Sequence, residues 1–361
     1  MRILIGGGGT GGHIYPGLAL ARYAMMQDGG AEVLFVGSEA GLENKIVPAA
    51  GFDLVTIPAR GLTRSPGQLF SFFRDLLKGI GGAKKIIEDF KPQVVLGTGG
   101  YVSAPLTIAS LIKRVPVVIH EQNALPGKVN RLMAPLAKRV CISFPQTAKR
   151  MPPFSHTIFT GNPRAGEVAS LSREEGCRLL SLDPGLEYIL VYGGSRGALK
   201  INEVVAAYLQ EGLLPEKMGM IYVTGEIYYE KVIADLGEQP GRVRVYPYLD
   251  EMPAALAAAS LALTRSGATT LAEITGAGVP AILIPSPNVV QNHQYFNARI
   301  LSDAGAAVLI NEHQFSPSRL KEEVDRFNNE PGLLAGMADA GRAIGVRDAA
   351  ARLYSCLREV S

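Results

Sequence analysis

Several absences bound this 361-residue chain before any motif is read. Its three cysteines, Cys141, Cys177 and Cys356, show no CxxC or paired spacing. That excludes a disulfide framework or a cysteine zinc site and fits a reducing compartment. With 19% charged residues and a net charge of +3, the chain does not suggest a nucleic-acid partner, and basic character that matters must be local. No apolar run reaches the ~18 residues of a membrane span, and the run at residues 2–5 is too short for a signal peptide. A cytoplasmic protein that touches a membrane without crossing it is therefore expected. No Asp-x-Asp pair occurs anywhere. A diphosphate gripped through a carboxylate-bound metal is thus disfavoured, and no metal or cofactor is expected.

Glycine, by contrast, is plentiful and placed. The apolar run Arg2–Ile5 leads directly into GGGGTGGH at Gly6–His13, and a helical pattern follows (Leu18, Leu20, Ala21, Ala24). Glycine allows positive φ and close backbone approach, and the helix turns its N–H groups and positive dipole end toward the loop, which makes an anion site. The arrangement recurs where Tyr188–Val191 runs into Gly193-Gly194-Ser195-Arg196-Gly197-Ala198, and a third glycine turn, Gly97–Tyr101, follows Val94–Leu96. Two such units half a chain apart predict two doubly wound α/β halves. Strands are expected near 2–6, 33–37, 54–57, 94–97, 116–119, 139–142 and 157–160, then near 188–192, 220–224, 243–246, 261–264, 280–284 and 307–310. Turn chemistry at Thr160–Arg164 puts the hinge there. The expected domains are 1–162 and 163–340, with 341–361 as a helix packing back on the first.

Ligands collect at the carboxyl ends of parallel strands, so two such halves facing each other would make one cleft for two substrates. His13 follows the first glycine loop; it is either a histidine bonded to its own backbone or a neutral imidazole suited to deprotonating a sugar hydroxyl. Glu273 either answers the dipole of its helix or accepts the hydroxyls of a ribose. Arg164 and Ser195 suit an anionic bridge, although Arg164 also reads as a solvated hinge charge. The Gly7, Gly9, Gly12 spacing would fit a dinucleotide, but the second strand ends Phe35-Val36-Gly37 without the acid that a ribose needs. The stripe Leu69, Phe72, Phe73, Leu76, Leu77, Ile80 is explained by a core-facing helix. Leu62, Phe70, Arg74, Lys78, Lys84 and Lys85, with Leu111-Ile112-Lys113-Arg114, leave a membrane-surface reading open.

Taken in order, GGGGTGGHIYPGLALA, GTGGYVSAP, HEQNALPGKVNR, TGNPR, GGSRGA, RSGATTLAEI, AGVPAILIP and NHQYFNA resemble the MurG family of bacterial N-acetylglucosaminyltransferases along nearly the whole chain. The resemblance implies the two-domain Rossmann-like fold called GT-B. It also implies inverting transfer of N-acetylglucosamine from UDP-N-acetylglucosamine to the 4-hydroxyl of the undecaprenyl-linked lipid I. The work would be done at the cytoplasmic face of an anionic membrane, alongside other cell-wall synthesis proteins. The first domain would hold the lipid-linked acceptor and the second the donor. His13 is implied as the base with Glu121 behind it, and Gly99, Gly100, Tyr101 and His120 as acceptor contacts. Thr10, Gly11, Gly12, Asn123, Arg164, Ser195, Leu249, Ala268, Thr269, Glu273, His293 and Gln294 are implied as donor contacts. The hinge reads GNPR where many members have a residue between proline and arginine, and His293 stands where some carry a second glutamine.

Overall fold

A computed structural model describes residues 1–61, 66–168, 171–194 and 197–361, with the backbone alone for 66–70. The chain divides into two compact units, Met1–Arg164 with Asp348–Ser361, and Ala165–Arg347. The first runs β1 (Arg2–Gly7), α1 (Gly11–Gln27), β2 (Glu32–Ser38), α2 (Glu43–Ala49), β3 (Asp53–Ile57), α3 (Pro66–Phe90), β4 (Val94–Gly99), α4 (Ser103–Ile112), β5 (Val117–Glu121), α5 (Lys128–Met133), β6 (Arg139–Ile142) and β7 (Thr157–Phe159). Its sheet is parallel in the order β3-β2-β1-β4-β5-β6-β7, so strand order reverses between β1 and β4. The register between those two strands shifts at Gly6/Gly7, where Gly7 pairs with Gly99. That shift sets the two glycine loops side by side at the switch point, where open α/β sheets hold ligands.

The strands are apolar runs because both faces are covered. On one face Ile14 and Leu18 of α1 meet Phe35, Leu353 and Leu357; on the other Ala83 and Ile87 of α3 join Leu106 and Met133. Among the described side chains of α3 the fully buried ones are Asp75, Gly79, Ala83 and Ile87, four residues apart, while Phe72, Leu76 and Ile80 of the expected stripe are half-buried, Ile80 against the core. A Cβ at Gly79 would lie 2.5 Å from the carbonyl oxygen of Pro58, so the helix seats its small residues against the end of β3. Phe73 and Leu77 are turned outward and exposed. Leu62 lies outside the described residues, as do the side chains of Leu69 and Phe70.

The second unit runs α6 (Arg164–Glu167), α7 (Arg173–Leu179), β8 (Glu187–Tyr192), α8 (Leu199–Gln210), β9 (Met218–Val223), α9 (Tyr229–Leu236), β10 (Val243–Tyr246), α10 (Met252–Ala258), β11 (Ala259–Thr264), α11 (Ala268–Ala277), β12 (Ala281–Leu283), α12 (His293–Asp303), β13 (Ala307–Leu309), α13 (Pro317–Asn329) and α14 (Leu333–Ile344). Its order, β10-β9-β8-β11-β12-β13, repeats the permutation of the first six strands. Each of the thirteen runs read as strands forms one. The Ser316-Pro317 start of α13 is capped as such a pair should be, with the Ser316 hydroxyl accepting the Arg319 N–H. The chain returns to the first unit after Arg347, later than residue 340, because α14 runs through that point. Arg347 Nε then bonds the carbonyl of Gly276 at 2.8 Å, which keeps the segment with the second unit. The last helix, α15 (Ala349–Val360), places Leu353 and Leu357 in the same apolar cluster as α1.

Candidate active site

In the first unit β1 ends at Gly7, and the chain passes through Gly8, Gly9 (φ 83°) and Thr10 into α1. Thr10 is the N-cap, but its hydroxyl makes no capping bond, so that side chain does not cover the Gly11 and Gly12 end of the helix. His13, in the first turn, brings Nδ1 to 3.0 Å from the Gly8 carbonyl. A carbonyl oxygen only accepts, so Nδ1 carries a hydrogen, and in the neutral ring Nε2 is then the nitrogen with the lone pair. The backbone-bonded reading of His13 is thus met, and the same bond leaves Nε2 as the ring nitrogen available to a ligand. The Thr98 hydroxyl donates to the His13 carbonyl at 2.7 Å and anchors the turn to β4.

The GTGG turn explains itself through that ring. Gly99 has φ 113°, and a Cβ there would fall 2.8 Å from His13 Cδ2 and 3.0 Å from Nε2. Gly100 has φ 81°, and its Cβ would lie 2.5 Å from the Gly8 carbonyl oxygen. Both glycines, expected as acceptor contacts, leave room for the imidazole and the first loop. Tyr101 beside them is exposed.

The HEQN segment at the end of β5 is built differently from expectation. Glu121 is buried, and both its oxygens are occupied: Oε1 accepts the Asn123 N–H (2.9 Å) and side-chain amide (3.3 Å), and Oε2 accepts the Gly127 N–H and the Asn130 amide, both at 2.9 Å. Expected behind His13 as a second base, it is instead the organiser of the loop that carries Asn123. His120, expected at the acceptor, is also buried. Its Nδ1 accepts from Gln122 (3.1 Å), and its Nε2–H donates to the Gly161 carbonyl (3.0 Å). Burial pushes its pKa down to about 4, with the bond to Gly161 opposing, so the ring is a neutral tie between β5 and the turn after β7.

In the second unit α11 starts at Ala268 with Gly267 as N-cap, and no side chain caps it. The Thr269 hydroxyl in its first turn is buried and has no hydrogen-bond partner. An orphan donor at an open helix N-terminus suits an anionic ligand. Glu273 is buried in the second turn of α11, beyond the first turn where the terminal dipole acts most strongly.

His293 and Gln294 open α12, behind two consecutive left-handed residues, Gln291 (φ 57°) and Asn292 (φ 52°). Non-glycine residues in that region store strain, which concentrates at functional loops. His293 Nδ1 donates to the Val290 carbonyl at 2.9 Å, and Gln294 Oε1 accepts the Ser286 N–H at 2.9 Å. The turn ahead of α11 is held from α12, because Ser266 donates to the Gln294 carbonyl (2.8 Å) and Asn297 donates to the Ser266 carbonyl (3.2 Å). Arg265 bonds the Ile284 carbonyl and pairs with Glu312. Leu249 is buried between β10 and α10.

Arg164, the last residue of the first unit although it opens α6, has its guanidinium 5.4 Å from the centre of the Tyr15 ring on α1, a cation–π contact within that unit. Ser195 lies outside the described residues. Thr98, Gln122, Asn130, Ser266 and Asn297 were not singled out from sequence. Each lies in or beside a string quoted there, but only coordinates show an amide or hydroxyl tying one strand end to the next.

Residues 3–142 match the model of the glycosyltransferase family 28 N-terminal domain, and residues 188–353 match that of its C-terminal domain. The chain is 42% identical to a protein of Halalkalibacterium halodurans and 38% identical to one of Acetivibrio thermocellus, covering 100% of this chain and 98–100% of theirs. Both carry the name UDP-N-acetylglucosamine--N-acetylmuramyl-(pentapeptide) pyrophosphoryl-undecaprenol N-acetylglucosamine transferase. The crystal structure of Acinetobacter baumannii MurG aligns over 99% of both chains with a TM-score of 0.78 at 28% identity. A UDP-GlcNAc 2-epimerase from Neisseria meningitidis aligns with a TM-score of 0.70 at 13% identity, a likeness of fold alone. The chain belongs to glycosyltransferase family 28 and, within it, to the MurG group.

Proposed function

We propose that the protein transfers N-acetylglucosamine from UDP-N-acetylglucosamine to the 4-hydroxyl of undecaprenyl-diphospho-N-acetylmuramoyl-pentapeptide, lipid I, forming the β-1,4 bond of lipid II. Relatives of that name match along the full chain. The observation that carries the chemistry is the His13 ring at the carboxyl end of β1, held through Nδ1 by the Gly8 carbonyl so that Nε2 is left for the acceptor. Nε2 accepts the proton of the acceptor hydroxyl while that oxygen attacks the anomeric carbon from the face opposite the leaving group. The bond to the β-phosphate oxygen breaks through an oxocarbenium-like state, and the configuration inverts.

UDP leaves onto the N-terminus of α11, where Ala268 and Thr269 receive the diphosphate and Glu273 takes the ribose hydroxyls, with Ser195 as a further diphosphate contact by family resemblance. Leu249 flanks the uracil, and His293 and Gln294 meet the sugar hydroxyls. Thr10, Gly11, Gly12, Asn123 and Arg164 complete the donor's surroundings. Tyr101 meets the acceptor. The second unit thus holds the uridine, ribose and diphosphate of the donor, and the first supplies the base and the acceptor contact.

Among the described residues no helix is long and apolar enough to cross a membrane. The lipid-linked acceptor is reached at the cytoplasmic face of an anionic bilayer through one side of the first unit. There Phe73, Leu77, Ile112, Leu132 and Leu136 are exposed on or beside α3, α4 and α5, with Arg74, Lys78, Lys113, Arg114 and Arg131 exposed among them. Apolar side chains interleaved with cations are what an anionic lipid surface binds.

Radiolabelled UDP-N-acetylglucosamine with a lipid I analogue tests the reading. Labelled disaccharide-lipid is expected. Donor hydrolysis, epimerised nucleotide sugar or binding without turnover would overturn it.

A further inference from the structure

Glu43 opens α2, is completely buried, and has no part in the reaction described. Three glycines leave room for it. A Cβ at Gly8 would fall 2.3 Å from its Oε1, one at Gly37 would fall 2.5 Å from its Cγ, and one at Gly41 would fall 2.1 Å from both carboxylate oxygens. Oε1 accepts the N–H (2.8 Å) and the hydroxyl (2.6 Å) of Ser38, and Oε2 accepts the Gly9 N–H at 2.9 Å. Burial pushes its pKa up, but the bonds from Ser38 and Gly9 outweigh this and hold the carboxyl below its ordinary range. It is an anion at neutral pH. Burying an anion is costly unless several donors face it, and here three do.

The Gly9 N–H and the Gly8 carbonyl belong to one planar peptide group, and in a trans peptide they point to opposite edges. Glu43 holds one edge and His13 Nδ1–H the other. A peptide whose N–H is bonded to an anion is a stronger acceptor at its oxygen, because linked hydrogen bonds polarise one another. We propose that Glu43 is a positioning residue for His13, acting through the Gly8–Gly9 peptide much as the carboxylate of a catalytic triad acts directly on its imidazole. It keeps the ring in the Nδ1–H tautomer and stabilises the imidazolium that forms when the acceptor proton is taken. This rests on the reading of His13 as the base.

The test is Glu43→Gln, with transfer kinetics over pH, UDP calorimetry and thermal melting. Losing the charge should lower kcat about 10- to 100-fold, the range seen for residues that orient a reactive group, with donor KM within about twofold. The acid limb of kcat/KM should move to lower pH, because both the lost anion and the weakened carbonyl acceptor disfavour imidazolium. A wild-type kcat, or a lower kcat with an unmoved limb, would sink the proposal. Where the variant melts below the assay temperature, the intact protein decides. Its imidazole 15N shifts, assigned by the signal lost in His13→Gln, should show the Nδ1–H tautomer, and the Nε2–H tautomer would overturn the relay. A fully active His13→Gln would remove the base itself. An inactive His13→Gln beside an unaffected Glu43→Gln would remove only Glu43.

Discussion

Replacing Glu121 with glutamine separates a base from a scaffold. The amide keeps the shape of the carboxylate but turns one acceptor into an –NH2 group. Whichever way it sits, two donors lose their partner: the two from Asn123, or the Gly127 N–H and the Asn130 amide. A buried donor left unpaired costs about 1–3 kcal/mol, so the variant should lose about 2–6 kcal/mol, toward the low end if an asparagine side chain turns away. For a unit of this size about 1 kcal/mol moves Tm by about 2–4 °C, which puts the expected fall on the order of 5–20 °C. Differential scanning calorimetry reads it directly. Transfer assayed well below the lowered midpoint should show a pH profile of wild-type shape, since no proton passes through Glu121. A variant that melts with the wild type yet has lost turnover would refute this, and would return Glu121 to the reacting groups.

Gly99→Ala puts a Cβ 2.8 Å from the His13 ring at a φ costing about 1–2 kcal/mol for an L residue, so kcat should fall by an order of magnitude or more at unchanged donor KM; wild-type turnover would mean the ring need not lie there. Glu273→Ala should weaken UDP about 10-fold or more by calorimetry, the loss of a charge-assisted bond, and undiminished affinity would take the ribose away from it. A Phe73→Ser/Leu77→Ser/Ile112→Ser variant should pellet less with anionic vesicles at unchanged Tm, whereas full pelleting would place the membrane contact elsewhere. His120 is neutral in the fold with a pKa of about 4 and near 6.5 unfolded. The unfolded chain therefore gains a proton first, and stability present above pH 6.5 is lost between about 6.5 and 4. His120→Gln should flatten that part of the pH–stability curve, which amounts to about 3 kcal/mol.

The repeated pattern of short apolar strand and glycine turn was enough to give the strands and the two doubly wound parallel halves, because a strand covered on both faces must be apolar throughout. What the linear pattern could not give was which partner a polar side chain meets. Glu121 and His120 follow a strand end as a catalytic pair would, and sequence cannot tell a carboxylate facing a substrate from one facing four amide donors. The same limit applies to α3. Its large residues have helical spacing, but the helix is turned by Gly79, which allows contact with Pro58, so the line from Gly79 through Ala83 to Ile87 is fully buried and Phe73 and Leu77 are left exposed. Periodicity reports that a face exists, and packing depth decides which face goes in.

The two glycine loops show how one topology serves two chemistries. Gly9 and Gly194 follow the first strand of their sheets with φ 83° and 88°, and a Cβ on either would meet nothing within 4 Å. The residues before them differ. The Cβ position of Gly193 is filled by the loop's own Ala198, so that turn closes on itself. The Cβ position of Gly8 is filled by the carboxylate of Glu43, and the Gly8 carbonyl is taken by His13. An internal anion already sits on the N–H that a phosphate would otherwise use, and the peptide's other edge holds an imidazole. A peptide so occupied is suited to hold an imidazole in place, which supports the proposal that the leaving diphosphate is received at the N-terminus of α11 in the second unit.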